Sequence, residues 1–297
     1  MFQYYFTVIA SAVAGSIFGS FANVVIYRLP REGLSVTKPK YSFCPNCGKT
    51  IQWYDNIPII SYFLLGGRCR NCKVRISPRY IIVEALSAFL FAYSAHKFAV
   101  RGDWGEFIVA AALCEVLIIC AFIDARFRII PDVIDVPGIL LAPILSFAVP
   151  SFVLPDFAKT LQKLGLAYSP VLPFSLGDRA AAAGGSILGM AVAAGVTYAV
   201  GVLGKAVFKK EAMGFGDVKL MGMIGGILGW QSALLGFFLG CIVGAVVGVT
   251  LILTVRRRDP HIPFGPFLAI GAVCVLFHKA KILHFFLVTY PAWLSGS

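Results

Sequence analysis

Acidic residues are scarce in this sequence: 14 Asp and Glu stand against 26 Lys and Arg among 297 residues, with only 4 His. Charged residues make up 13% and apolar residues 59%, and the mean hydropathy is +0.84. So little charge cannot cover a water-soluble domain, which excludes that class and leaves a multi-span membrane protein. Strict polar–apolar alternation is missing too, so a membrane β-barrel is excluded. Apolar runs of about 16 to 25 residues predict helices instead. No basic stretch precedes the first apolar run, and Arg28 and Arg31 follow it. That order is the reverse of a cleaved secretory signal, so a retained first helix with its N-terminus outside is expected. The four histidines, His96, His261, His278 and His284, are scattered at span edges and form no ligand cluster. No serine or cysteine nucleophile has a base nearby, and no G-x-G-x-x-G follows a strand. No internal repeat and no low-complexity tract is visible.

Eight apolar segments are present, at about 4–27, 80–99, 107–124, 133–153, 180–204, 217–230, 232–254 and 263–278. A further apolar piece, 282–294, follows Lys279 and Lys281 and is expected at the surface. With the loop 28–79 placed in the cytoplasm, 125–132, 205–216 and 255–262 become cytoplasmic as well. These four loops carry 18 of the 26 basic residues, including Arg126, Arg128, Lys205, Lys209, Lys210 and Arg256 to Arg258. That asymmetry satisfies the positive-inside rule and accounts for the net charge of +12. The lipid bilayer is therefore the expected partner of that charge, and nucleic acid is not. The expected fold is an all-α polytopic membrane protein of about eight transmembrane helices with a zinc-binding cytoplasmic loop domain. Its expected parts are a first helix at 1–27, a four-cysteine zinc domain at 28–79 and a transmembrane region at 80–297. The outside stretch 154–179 contains Pro155, Pro170, Pro173 and Gly177, which predicts an irregular loop.

Within the cytoplasmic loop, "CPNC" at Cys44–Cys47 is answered by "CRNC" at Cys69–Cys72. Two C-x-x-C knuckles at this separation can close a tetrahedral Zn²⁺ site. A pair of disulfides or a redox motif is the alternative, and a cytoplasmic location disfavours structural disulfides. Four thiolates leave no open coordination position, so the expected metal is structural. A loop of this size has little core, and metal binding supplies folding energy. Cys114, Cys120, Cys241 and Cys274 lie within spans and read as small packing residues.

Carboxylates in an apolar chain carry more information. Asp217 stands in "GFGDVKLMG" at the start of the sixth segment, and Asp124 in "IDARFRIIPD" at the inner end of the third. Two spans separate those segments, so both acids fall near the cytoplasmic face. Two converging carboxylates in a low-dielectric site share one proton. One then takes a proton from water while the other protonates a scissile carbonyl, the arrangement of aspartic proteases. Gly214 and Gly216 lack side chains, which lets an extended substrate approach Asp217. The bland alternatives are a helix cap for Asp217 and an interfacial charge near Arg126 for Asp124. Asp132 and Asp135 open the fourth segment, where Asp132 is a candidate cap and support for Asp124. Glu115 lies mid-span, about two and a half turns before Asp124. An intramembrane acid is a functional candidate by default, and the alternative is a neutral carboxyl bonded to a neighbouring helix. A proton-coupled transporter built on Glu115 and Asp217 is a rival reading, although paired broken helices in related halves are not seen.

Four stretches together resemble the type IV prepilin peptidases: "GSFANVVIYRLP" at 19–30, "CPNCGKTIQWYDNIPIISYFLLGGRCRNC" at 44–72, "IDARFRIIPD" at 123–132 and "GFGDVKLMG" at 214–222. The resemblance covers most of the chain. It implies a bacterial inner-membrane enzyme similar to the presenilin-type G-x-G-D aspartyl proteases, with Asp124 and Asp217 as the catalytic pair. The implied substrate is a prepilin of type IV pili or a pseudopilin of type II secretion: a short basic leader, a glycine, then an apolar helix. Cleavage after that glycine is implied at the cytoplasmic face. The resemblance further implies methylation of the new N-terminal amine with S-adenosylmethionine, because the four-cysteine loop accompanies family members with both activities. A peptidase without methylation is the alternative. Asn23 and "WYDN" at 53–56 are candidates for holding the methyl donor only by belonging to matching stretches, and structural packing and turns are the alternative.

Overall fold

Long apolar runs with few breakers form helices because lipid offers backbone groups no other partner. The computed structural model describes residues 1–163, 173–209, 213–255 and 262–290. Of the features expected from sequence, Pro170, Lys210, Arg256 to Arg258, His261 and the stretch 291–294 lie outside the described residues. The chain divides into two units, Met1–Phe127 and Arg128–Ser297.

The first unit contains α1 (Phe2–Arg28), the short α2 (Ile60–Leu64), α3 (Arg79–Lys97) and α4 (Trp104–Phe127). Helices α1 and α3 approach closely through Gly15 and Gly19, one turn apart on α1. A Cβ on Gly15 would lie 2.6 Å from the Ser87 carbonyl oxygen, and one on Gly19 2.8 Å from the Glu84 Cα. The Gly-x-x-x-Gly spacing thus clears one face for a partner backbone, and dispersion then holds the pair. Cys114 and Cys120 are buried in α4 as packing residues, as expected.

The second unit contains α5 (Asp132–Ala148), α6 (Leu154–Lys163), α7 (Leu176–Phe208), α8 (Phe215–Leu228), α9 (Trp230–Val255) and α10 (Gly265–His284). Helix α8 packs on α7 where Gly225 meets Gly189, and a Cβ on either would collide with the other's carbonyl. Close packing by α8 glycines was expected; the partner glycine on α7 was not. Helix α10 bends at His278, whose φ of −131° and ψ of 17° interrupt it.

All eight apolar segments are helical. Helices α1, α3, α4, α7, α9 and α10 are long and apolar enough to cross a membrane. Helix α5 has 17 residues and α8 has 14, about 26 and 21 Å at the helical rise. Both fall short of a hydrocarbon core about 30 Å thick.

The expected irregular loop at 154–179 is corrected at both ends. Residues Leu154–Lys163 form α6, because Pro155 lies in its first turn, where a missing N–H costs little. Helix α7 begins at Leu176 because "SLGD" builds a cap. The Ser175 hydroxyl accepts from the Asp178 N–H at 3.1 Å, and Asp178 accepts from the Ser175 N–H at 2.9 Å.

A buried polar cluster ties α6, α9 and α10. Lys279 of α10 pairs with the Asp156 carboxylate of α6 and donates to the Ser232 hydroxyl of α9 at 2.9 Å. Ser232 donates to Asp156 at 3.2 Å.

Candidate functional site

The four expected cysteines converge. The sulfurs of Cys44, Cys47, Cys69 and Cys72 all lie within 4.8 Å of one another, and none is in a disulfide. Cys44 and Cys72 Sγ are 3.9 Å apart. Four thiolates around a cation at about 2.3 Å stand about 3.8 Å apart, so this donor set fits a tetrahedral metal ion.

Each knuckle is built the same way. Cys44 N–H donates to Lys49 O and Gly48 N–H to Cys44 O, both at 2.9 Å. In the second, Cys69 N–H donates to Val74 O at 2.9 Å and Lys73 N–H to Cys69 O at 3.0 Å. The turn residue is left-handed in both, Gly48 at φ 68° and Lys73 at φ 58°. Single antiparallel bridges, Phe43 with Thr50 and Arg68 with Arg75, close the two turns. Hydrogen bonds to sulfur, from the Val74 N–H first and then from Asn46, hold the Cys72 thiol down at about 6. Burial pushes Cys44 up to about 11. A bound cation favours all four thiolates and so offsets the cost of burying Cys44.

Two contacts fasten this loop to the long helices, and a third braces it internally. Arg28, at the end of α1, is buried and donates to the carbonyls of Val36, Pro39 and Tyr41 at 3.1, 2.7 and 3.1 Å. Sequence counting treated Arg28 only as a topological charge; its place directly before Leu29–Pro30, where the helix ends, was the available signal. Asp55 of "WYDN" accepts two bonds from Arg70 at 2.7 and 2.6 Å, which holds its carboxyl below the usual carboxylate range. Glu84 of α3 accepts the Ile59 N–H at 2.7 Å. Ile59 has φ 63°, a costly conformation for a β-branched residue.

Beneath the knuckles the first unit forms a half-open cavity of about 680 Å³. Asn23, Tyr54, Arg79, Tyr80, Glu84 and Arg126 are among its walls.

Asp124 lies one turn from the end of α4 and is 6% exposed. It belongs to the first unit and Asp217 to the second. Asp217 is in the first turn of α8, is 8% exposed and accepts the Gly214 N–H at 3.1 Å. Its position at a helix N-terminus favours negative charge. The capping alternative is therefore partly realised, since the carboxylate satisfies one backbone donor. Gly214 borders that carboxylate: a Cβ there would sit 3.7 Å from Asp217 Oδ2. A Cβ on Gly216 would meet Ile130 at 3.1 Å, so its bare face packs within the second unit.

Asp132 does not cap α5, as the sequence had left possible. The cap position is Pro131, and the Asp132 carboxylate, 65% exposed, pairs with Lys219 at 2.6 Å. Asp135 is 0% exposed, with Asp132, Lys219 and Asp217 as its charged neighbours. Sequence reasoning placed Asp135 only as a helix-opening acid. One helical turn beyond Pro131 faces inward, which the turn at "IIPD" does not reveal. Glu115 is buried mid-helix in α4, and its oxygens have no hydrogen-bond partner among the described residues. Ser87 of α3 is the polar group beside it.

Comparison with known proteins accords with this organisation. Residues 13–98 match the Bacterial Peptidase A24 N-terminal domain, which contains the four cysteines. Residues 111–249 match the Type IV leader peptidase family and contain Asp124 and Asp217. A Prepilin leader peptidase/N-methyltransferase of Pseudomonas aeruginosa is 33% identical over 303 residues, covering 94% of this chain and 93% of the relative. Relatives of the same name from Pseudomonas putida and Vibrio cholerae are 35% and 32% identical, over 92% of this chain and 91% and 97% of their own lengths. No solved structure matches the chain. A relative similar from end to end, together with both domain matches in their expected order, shows that this chain belongs to the type IV leader peptidase family.

Proposed function

We propose that this multi-pass membrane protein is a prepilin leader peptidase that also methylates the N-terminus it creates. The observation that carries the reading is two buried aspartates at helix ends, in "IDARFRIIPD" and "GFGD", within a chain of this family. Asp124 and Asp217 are the catalytic carboxylates. In the productive state one is ionised and the other protonated. The ionised group takes a proton from water, and water oxygen bonds to the scissile carbonyl carbon. The protonated group stabilises the carbonyl oxygen and then donates to the leaving amine as the C–N bond breaks. Gly214 leaves room beside Asp217 for an extended substrate. Asp132, through Lys219, orients the first turn of α8 that carries Asp217.

The substrate class is a prepilin or pseudopilin with a basic leader, a glycine and an apolar helix, cleaved at the cytoplasmic face of the bacterial inner membrane. The peptidase region is 80–297, with 1–27 as a first transmembrane helix and 28–79 as a zinc domain. The ion at Cys44, Cys47, Cys69 and Cys72 is structural Zn²⁺, since four thiolates leave no position for a reacting ligand. S-adenosylmethionine, when bound, supplies the methyl group transferred to the new amine.

The test is intact mass of a prepilin after incubation with the purified protein. Wild type removes the leader and adds one methyl. Asp124→Asn and Asp217→Asn each lower cleavage by about a hundred- to ten-thousandfold. Full-rate cleavage by either variant removes that carboxylate from the catalytic pair.

A further inference from the structure

We infer that the cavity beneath the cysteine knuckles is the methyl-donor site, and that Arg79 and Asn23 hold the amino-acid end of S-adenosylmethionine. This rests on the methyltransfer reading and adds a location and residues to it. The cavity lies entirely within the first unit and is walled by residues of α1, α3, α4 and the four-cysteine loop. Its volume of about 680 Å³ is in the range that encloses a cofactor-sized molecule.

Unsatisfied polar atoms on its walls specify the ligand chemistry. Asn23 is 3% exposed. Its Nδ2 donates to the Tyr80 carbonyl at 2.9 Å, which fixes the amide orientation and turns Oδ1 away from that bond. Asn23 Oδ1 is buried with no partner among the described residues. So are Nε and Nη1 of Arg79, the residue before Tyr80. An acceptor and a pair of cationic donors, joined through Tyr80, call for one molecule offering both a donor and an anion. Buried groups of this kind are costly unless paired. An α-amino acid meets both needs, with its carboxylate toward Arg79 and its ammonium toward Asn23 Oδ1.

The other wall groups suit the rest of that molecule. Arg31 and Arg126 are the cations nearest Arg79, and they raise the local positive potential for a carboxylate. Glu84, whose carboxyl accepts the Ile59 N–H, offers acceptor oxygens for an ammonium. The rings of Tyr54, Tyr62 and Tyr80 line the same space, with the Arg70 and Arg79 guanidiniums 5.5 and 5.0 Å from the Tyr54 and Tyr80 centroids, and aromatic side chains of this kind suit an adenine. Arg28 and Arg70 also line the cavity, but the first is spent on loop carbonyls and the second on Asp55.

The test separates the amino-acid end from the nucleoside. Binding of S-adenosylhomocysteine and of methylthioadenosine, which lacks the amino-acid end, is measured by calorimetry on the full chain in nanodiscs. Zinc content and melting temperature report folding. Arg79→Gln and Asn23→Ala are each expected to weaken S-adenosylhomocysteine at least about tenfold and to leave methylthioadenosine within about twofold. Arg79→Lys, which keeps the charge, is expected to lie between Arg79→Gln and wild type. Unchanged S-adenosylhomocysteine affinity in both variants, from a wild type that methylates its product, overturns the location and leaves the methyltransfer reading standing. A wild type that neither binds S-adenosylhomocysteine nor methylates overturns both. Equal loss of both ligands from variants with wild-type zinc content and melting temperature overturns the assignment to the amino-acid end. Loss of phosphatidylglycerol binding in Arg79→Gln, with nucleoside binding intact, makes this a lipid-phosphate site and also overturns it.

Discussion

Replacing Asp156 with asparagine tests the buried cluster that ties α6, α9 and α10. The Lys279 ammonium has two partners there, the Asp156 carboxylate and the Ser232 hydroxyl. Asparagine keeps the volume and removes the charge. Leaving one member of a buried pair without its counter-charge costs about 3–5 kcal/mol. The Lys279 side chain is 27% exposed, so its head can turn toward water, and the expected cost is at the lower end, about 3 kcal/mol. For a unit of this size that lowers the melting temperature by about 6–12 °C. Tryptophan-fluorescence melting in detergent, at one scan rate, measures it. Lys279→Met should cost more than Asp156→Asn, because the Asp156 side chain is only 3% exposed and has less access to water. The double variant should return to within about 1–2 kcal/mol of wild type, since no orphaned charge remains. If Asp156→Asn melts within about 2 °C of wild type, or Lys279→Met is the milder change, the argument from burial is wrong.

Two further outcomes concern the loop. Chelation, or Cys72→Ser, should lower bound zinc from one ion per chain as read by native mass spectrometry. Hydrogen exchange should then rise across 40–76 while α4 keeps its protection, and unchanged exchange in the loop would show that the metal does not hold it. Asp55 is held below the usual carboxylate range by Arg70. Its contribution is therefore present above the unfolded value of about 4 and is lost as pH falls through the lower folded value. The melting-temperature gap between wild type and Asp55→Asn should hold from pH 7 to about 5 and close below about 4. A gap that widens with acid contradicts the pairing.

Much of the candidate site was readable without coordinates because its signals are local or set by the membrane. The C-x-x-C pairs define their own turns, and each repeats the same backbone bonds around its thiolates. Asp124 and Asp217 stand out because a carboxylate is rare and costly in apolar surroundings. Partners across helices were not readable. Asp132 looked like a cap but pairs with Lys219, which lies 87 positions along the chain. Asp156 sat in a stretch read as irregular from its prolines, yet it is the buried anion of a three-helix cluster. Gly189 gave no sign that it meets Gly225, because helix contacts depend on which faces turn toward each other and not on spacing within one helix.

Composition by itself determined that the chain lives in a membrane as helices, since lipid leaves the backbone no alternative. Spacing by itself marked four cysteines whose sulfurs converge as a metal site requires, and it marked two aspartates. Tertiary structure alone decided that Asn23 and Arg79 line one cavity with unmatched polar atoms, and that Arg28 serves loop carbonyls. A hydrogen bond is a property of two groups in space. The sequence supplies the donors and acceptors, but only packing decides which of them find each other and which remain for a ligand.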